Sequence, residues 1–319
     1  MSITQSGRRE SELVRPVVGF VGIGRMGKRM AANILKQGYN LVVWSRTLPH
    51  ARELESLGAL VASCPKDVAE KSSIVITMLA DPKSARDVFS GRNGLIEGLQ
   101  PKGIFIDMTT NLPSLSRSLA KEIEGKDGEF LDAPVSGSIK PASEGTLLIL
   151  VGGKKETLEK ARPILQTMGN RIIHTGDHGS AASMKLVLQM HSATIMVSFA
   201  ESLAFGHSLG LNPSMILDIL NNSVLKTYAS ESKGKKVIEA DYSPQHSLES
   251  MTENLDLVYE SVKEAQISMP PLLGSAREIF HSAVKNGEGE LDFSAVAIEV
   301  EKNMHAKISR RHPTGQRAL

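Results

Sequence analysis

A short β-branched run, Val17 to Val21, leads directly into Gly22-Ile23-Gly24-Arg25-Met26-Gly27, and a helical pattern from Met26 to Lys36 follows at once. No other stretch of the 319 residues restricts the fold so tightly. In a strand–turn–helix unit of this kind the first glycine makes the tight turn. The second lets backbone approach a pyrophosphate, and the third lets helix pack on strand. The pyrophosphate then lies on the helix N-terminus, where free N–H groups and the helix dipole favour an anion. The glycine triplet with its proper neighbours predicts a dinucleotide-binding sheet, with Gly22, Ile23, Gly24, Arg25, Met26 and Gly27 as cofactor-binding candidates.

A second strand, Leu41 to Trp44, ends in Ser45-Arg46-Thr47. An NAD site usually places a carboxylate there, on the ribose 2′-hydroxyl, and a carboxylate would repel a 2′-phosphate. An arginine between two hydroxyls can bind that phosphate by charge-assisted hydrogen bonds, so the expected cofactor is NADP(H). The alternation of short strands and helices continues. Ser73 to Met78 and Ile104 to Asp107 read as buried strands, each followed by a polar or flexible loop at Leu79 to Pro82 and at Met108 to Asn111. In an open parallel sheet such loops border the ligand, which makes Leu79 a further cofactor candidate. Strands are expected at Glu129 to Ala133, Leu147 to Val151 and Arg171 to His174, with a helix at Glu156 to Met168. The segment Pro134 to Thr146 reads as a loop whose glycines and serines suit close backbone approach to a ligand.

From Gly176 to Leu211 apolar residues such as Met184, Leu188, Ile195, Phe199 and Leu203 recur at helical spacing, and no proline interrupts them, so the body of this stretch is expected to be one long helix. Beyond it nearly every segment reads as helix: Pro213 to Asn221, Leu248 to Ala265, Leu272 to Asn286 and Ser294 to Met304. The stretch between, Ser223 to Gln245, is polar and lysine-rich and is expected to include a mobile connection. The long helix has one charged residue near its start, Lys185, set among Ala, Met and Leu. Partial desolvation and the helix dipole both favour its neutral amine.

Composition excludes several classes. With 41% hydrophobic and 23% charged residues the chain can bury two cores, and a formal charge of +2 is too small to point to nucleic acid. Basic residues gather near the ends, at Arg8, Arg9 and Arg15 and at Lys307, Arg310, Arg311 and Arg317, as solvated termini often do. No apolar run approaches the ~18 residues of a membrane span, and none resembles a secretory signal, so a cytoplasmic protein is expected. Cys64 is the only cysteine, read as a buried thiol, and His191, His207, His246 and His281 lack metal-ligand spacing, so no metal site is expected and these histidines read as packing or surface residues.

Three ordered motifs, Gly19 to Gly27, Asp132 to Leu147 and Gly176 to Val187, together resemble the β-hydroxyacid dehydrogenase family, which includes 3-hydroxyisobutyrate dehydrogenases and glyoxylate and succinic semialdehyde reductases. The resemblance covers about residues 17 to 300 and extends to the Gly-x-Gly-x-x-Asp-Phe-Ser pattern that begins at Gly287. It implies an α/β Rossmann domain followed by an all-α domain of the 6-phosphogluconate dehydrogenase type, joined by a long interdomain helix, and a homodimer or homotetramer. In numbers, residues 1–16 would be a flexible N-terminus, 17–178 the NADP-binding domain, 179–208 the interdomain helix, 209–305 the helical domain and 306–319 a flexible basic tail. Lys185 matches the family's catalytic lysine, Ser136 and Gly137 the segment that holds a substrate carboxylate, and Thr109 a residue beside the nicotinamide.

Three departures surround the same pocket. Where the family places two asparagines after its lysine, this chain has Leu188 and Gln189, and Gln189 can offer a substrate-binding amide from a stem one carbon longer. Ser138 stands in place of a glycine, where backbone approach is expected to be tight. Glu253-Asn254-Leu255 replaces the family's Lys-Asp before a leucine and turns a positive charge near the substrate negative. The reading is a reductase of a small semialdehyde or keto acid, reversible as a hydroxy acid dehydrogenase, with Lys185 as general acid and base and Ser136, Gly137, Ser138 and Gln189 binding substrate. The rivals are an imine reductase on the same scaffold, which Glu253 would suit, and a non-catalytic NADP-binding interaction module.

Overall fold

The computed structural model describes residues 15–308. Of the termini expected to be flexible, residues 1–14 and 309–319, with Arg8, Arg9, Arg310, Arg311 and Arg317, lie outside the described residues, while Ile308 at the start of the expected tail is buried and its N–H donates to Glu301. Nine strands form one sheet: β1 (Val18–Val21), β2 (Leu41–Trp44), β3 (Leu60–Val61), β4 (Ile74–Thr77), β5 (Ile104–Asp107), β6 (Glu129–Asp132), β7 (Val135–Ser136), β8 (Leu147–Gly152) and β9 (Gly169–Gly176). Helices α1 (Arg25–Lys36), α2 (Leu48–Glu55), α3 (Pro65–Glu70), α4 (Pro82–Ser90), α5 (Pro113–Glu124), α6 (Ile139–Glu144) and α7 (Lys155–Leu165) are interleaved with them. The long helix α8 spans Ser180–Ser208. It is followed by α9 (Pro213–Asn221), α10 (Gly234–Glu239), α11 (Leu248–Glu264), α12 (Pro271–Ala283) and α13 (Val296–Asn303).

The strand order β3-β2-β1-β4-β5-β6 is wholly parallel, and the order reverses between β1 and β4. That reversal opens a crevice beyond the carboxyl ends of the two strands, where doubly wound sheets bind ligands. All four residues of β1, β4 and β5 are buried, as strands covered by helices on both faces require. Beyond β6 the direction changes: β8 runs antiparallel to β6 and β7, and β9 parallel to β8.

The segment expected to be a loop from Pro134 to Thr146 instead contains β7 and α6. Both are short and gain their partners from far away. Val135 pairs with Ile149, and α6 packs on α1, where Asn33 Nδ2 donates to the Ala142 carbonyl at 2.9 Å. The stretch from Ser223 to Gln245, expected to include a mobile connection, is in part regular and buried. It holds a π-turn at Ala229–Lys233 and then α10, with Lys233 only 1% exposed. Cys64 is half-buried at the start of α3 and not enclosed.

Two apolar cores lie on the faces of the sheet, and a third fills the helical half. Helix α8, 29 residues and about 43 Å long at 1.5 Å per residue, belongs to both regions. Its first turns pack against β8, β9 and α5, and the rest against α11, α12 and α13. Its apolar residues therefore go all round and not along one stripe, as in a helix buried on several sides. Among the described residues no helix is long and apolar enough to cross a membrane.

Candidate active site

The crevice beyond β1 and β4 continues between the sheet and the helical half as a cavity of about 990 Å³. Its floor is the glycine turn: Gly24, Arg25, Met26 and Gly27 line it, while Gly22 and Ile23 do not. Ile23 is 1% exposed and points into the core beneath the sheet, so it can offer a cofactor only its backbone. A methyl group built on Gly24 would meet no atom within 4 Å, which leaves the backbone there open to a ligand. Leu79, after β4, lines the same floor.

Thr109 does not. It is 2% exposed, its hydroxyl accepts from the Leu79 N–H at 3.0 Å, and its own N–H donates to Asp107 at 3.2 Å. Thr109 therefore ties two cofactor-side loops together from behind, and Thr110 faces the cavity in its place. Burial pushes the Asp107 carboxyl up, against hydrogen bonds from Thr77, Thr109 and Asn111. Ser45, Arg46 and Thr47 lie past the end of β2, whose Trp44 carbonyl accepts from Gly22 N–H at 3.1 Å. Arg46 is exposed and makes no ion pair among the described residues, so its guanidinium is available to an anion.

Lys185 projects from the second turn of α8 into the cavity, and its Nζ donates to the Val135 carbonyl at 2.9 Å. Burial lowers its pKa to about 8. The helix dipole, the second cause expected from sequence, is offset at its source: Asp132, at the end of β6, accepts from the N–H groups of Gly179 and Ala182 at 2.8 and 2.9 Å. Ser136, Gly137 and Ser138 line the cavity beside Val135. Gly137 has φ +134° and an added Cβ would lie 2.8 Å from Leu147, so a side chain is excluded there. Ser138 has φ −109°, ordinary extended backbone, and the glycine usual at this place is not needed. One turn after Lys185, Gln189 is 6% exposed and lines the cavity with no side-chain partner among the described residues.

The helical wall differs more from expectation. Glu253, on α11, is exposed and does not line the cavity, and burial together with the charges of Glu249, Asp81 and Asp256 raises its carboxyl. Its neighbour Asn254, one step round the helix, takes the place on the wall. His191 and His246, read as packing or surface residues, both line the cavity, and so do Lys226 and the buried Lys233. His207 and His281 hydrogen-bond the Leu211 carbonyl and Asp256 and stay outside it. Among the described residues no cluster of His, Cys, Asp or Glu could hold a metal. The lining carries Arg25, Lys185, Lys226 and Lys233 and, among the described residues, no carboxylate, which suits an anionic ligand.

Residues 17–176 match the family model described as the NAD binding domain of 6-phosphogluconate dehydrogenase. Residues 179–299 match that described as the NAD-binding of NADP-dependent 3-hydroxyisobutyrate dehydrogenase. Glyoxylate/succinic semialdehyde reductase 1 of Arabidopsis thaliana is 37% identical over 89% of this chain and 98% of its own. The mitochondrial 3-hydroxyisobutyrate dehydrogenase of Homo sapiens is 33% identical over 88% of this chain and 85% of its own. The solved structure of Mycobacterium tuberculosis 3-hydroxyisobutyrate dehydrogenase with L-serine has a TM-score of 0.83 at 27% identity, covering 89% of this chain and 98% of that one.

Proposed function

The chain belongs to the β-hydroxyacid dehydrogenase family and is an oxidoreductase with a nicotinamide dinucleotide cofactor, and from that premise we propose that it is an NADP(H)-dependent reductase of small semialdehydes or keto acids. The observation that carries this reading is the position of Lys185, in one cavity with the glycine turn and the Ser136–Ser138 segment and, among the described residues, with no carboxylate in the lining.

When bound, the reduced nicotinamide supplies the hydride, and Gly24, Arg25 and Met26 at the start of α1 would hold its pyrophosphate, with Arg46 on the 2′-phosphate. Ser136 Oγ and the N–H of Gly137 hold the substrate carboxylate, and the Gln189 amide orients the reacting end. Lys185, with a pKa of about 8, is mostly protonated at pH 7 yet gives its proton up readily. It donates that proton to the carbonyl oxygen as the oxygen gains charge, and as the neutral amine it takes the proton back from a hydroxy acid in the reverse direction. The Val135 carbonyl aims the ammonium meanwhile.

A cationic iminium substrate would enter a cavity that already holds Lys185 and, among the described residues, offers it no carboxylate, so the lining does not favour the imine alternative. A non-catalytic module has no use for a desolvated lysine beside a carboxylate-binding segment. The test is NADPH oxidation against a panel of small semialdehydes and 2-keto acids, with wild type and Lys185→Ala. Turnover is expected to fall ~10²–10⁴-fold in the variant, the usual contribution of an acid/base group, with NADPH binding intact. A fall of less than about tenfold in a folded variant would refute the role of Lys185, and equal efficiency with NADH would remove that of Arg46.

A further inference from the structure

The helical wall carries a polar pair that the reaction above does not use. The His246 ring packs against Phe293, centroid to centroid 5.8 Å, and its Nε2 lies 3.3 Å from Ser250 Oγ. Its Nδ1 has no protein partner among the described residues, and the residue lines the cavity, as do Ser250 and Phe293. A phenylalanine would pack on Phe293 equally well. The free ring nitrogen is instead placed where a ligand or water in the cavity can meet it.

The imidazole is held with unusual care. The N–H groups of Gln245 and His246 donate to Asp292 Oδ2 at 3.1 and 3.4 Å, and Phe293 N–H donates to the His246 carbonyl at 2.8 Å. Asp292 is fully buried and pairs with Lys233, 1% exposed, at 2.9 Å, while Lys233 also donates to Gln245 Oε1 at 3.0 Å. Burial alone would raise the Asp292 carboxyl, but hydrogen bonding to Lys233 and its charge outweigh this and hold it below the usual range. A buried ion pair gives little net stability over apolar residues of the same size. What this one does is fix the backbone on both sides of His246 and Phe293. Burial, with the charges of Lys185 and Lys233 against that of Asp292, lowers the His246 pKa to about 4, so the ring is neutral at pH 7 and offers one donor and one acceptor.

Resting on the reductase reading above, we propose that His246, supported by Ser250, is the specificity-determining contact for the end of the substrate remote from the carboxylate. With the carboxylate on Ser136 and Gly137 and the carbonyl oxygen at Lys185, the remainder of the molecule meets the helical wall. A neutral hydrogen-bonding pair there selects carbonyl acids that end in a hydroxyl or similar uncharged polar group over those that end in a methyl.

The matched probes are hydroxypyruvate and 2-oxobutanoate, which differ by hydroxyl for methyl at that end. Wild-type kcat/KM is expected to favour hydroxypyruvate by about tenfold or more, because a site built to hydrogen-bond a substrate group rejects the analogue that lacks it. His246→Phe should bring the ratio to within about twofold of unity, chiefly through KM for hydroxypyruvate, and Ser250→Ala should lower it partway. The ratio is internal to each preparation, so a partly misfolded fraction does not move it; if His246→Phe does not fold, Ser250→Ala alone decides. A wild-type ratio near one, or a ratio unchanged in the variants, overturns the proposal while leaving the reductase reading standing if semialdehydes are still turned over. Failure of every carbonyl substrate overturns both.

Discussion

Replacing Lys185 by methionine should lower turnover ~10²–10⁴-fold and at the same time stabilise the fold. The fall of its pKa from 10.5 to about 8, caused by burial, corresponds to about 3.4 kcal/mol spent on holding the ammonium in the folded state, at 1.36 kcal/mol per pH unit. Two terms reduce the gain from removing it. The residue keeps some contact with cavity solvent, so this figure is an upper bound, and the Val135 carbonyl loses its donor, worth about 1 kcal/mol. A net stabilisation of about 1–2 kcal/mol remains, or about 1.5–3 °C in Tm for a chain of this size. The sign follows from linkage. The folded-state pKa is depressed, so the penalty is complete below pH 8, shrinks between pH 8 and 10.5 as the folded form alone has lost its proton, and is gone above. Thermal unfolding of wild type and Lys185→Met, without cofactor and at one protein concentration, should therefore show the variant melting higher at pH 7 and the two converging by pH 10.5. A variant no more stable at pH 7, or an advantage that persists at pH 10.5, would show that the ammonium is not held against its solvation preference and that burial does not tune it.

The same lowered pKa should appear in catalysis: kcat/KM for reduction stays level below about pH 8 and falls above it, and kcat/KM for oxidation of the hydroxy acid rises through the same point. Initial rates in both directions from pH 6 to 10 check this, and a shared inflection away from 8 would point to a different proton donor. The glycine turn gives a paired test. An added Cβ at Gly27 would lie 2.0 Å from the Gly22 carbonyl oxygen, so Gly27→Ala should fail to fold or melt far below wild type. Gly24→Ala meets nothing within 4 Å and should melt like wild type while its KM for NADPH rises about tenfold or more, measured by NADPH titration; an unchanged KM would remove the pyrophosphate from that position.

The parts legible in the sequence are those whose cause is local. The glycine spacing, the strand before it and the helix after it determine one another within twenty residues, and β1 and α1 stand where that pattern required. The departure at Ser138 was visible, but its harmlessness was not, because it depends on a φ of −109° that only the packed turn reveals. Thr109 and Thr110, and likewise Glu253 and Asn254, are adjacent pairs in which one faces the cavity and the other does not. A motif placed correctly in sequence still leaves that phase open. Lys233 is the clearest loss. Its surroundings, Ser232, Gly234, Lys235 and Lys236, read as a solvated stretch, and the reason it is buried is Asp292, 59 residues away. Burial of a charge is set by its partner, and local composition carries no record of a partner that distant.

The supports of the site divide its chemistry. Asp132, which caps α8, Val135, which receives Lys185, and Ser136, proposed above to hold the substrate carboxylate, lie within five residues, at the end of β6 and in β7. One piece of backbone therefore sets the helix start, the aim of the ammonium and the place of the anion together. The opposite wall has a separate anchor, the Lys233–Asp292 pair, which fixes His246 and Phe293 without touching that piece of backbone. Both walls are joined along α8, whose first turns belong to the sheet and whose later turns belong to the helical core. Changes to the sheet-side anchor should decide whether a carbonyl is reduced at all, and changes to the helical anchor which carbonyl is chosen.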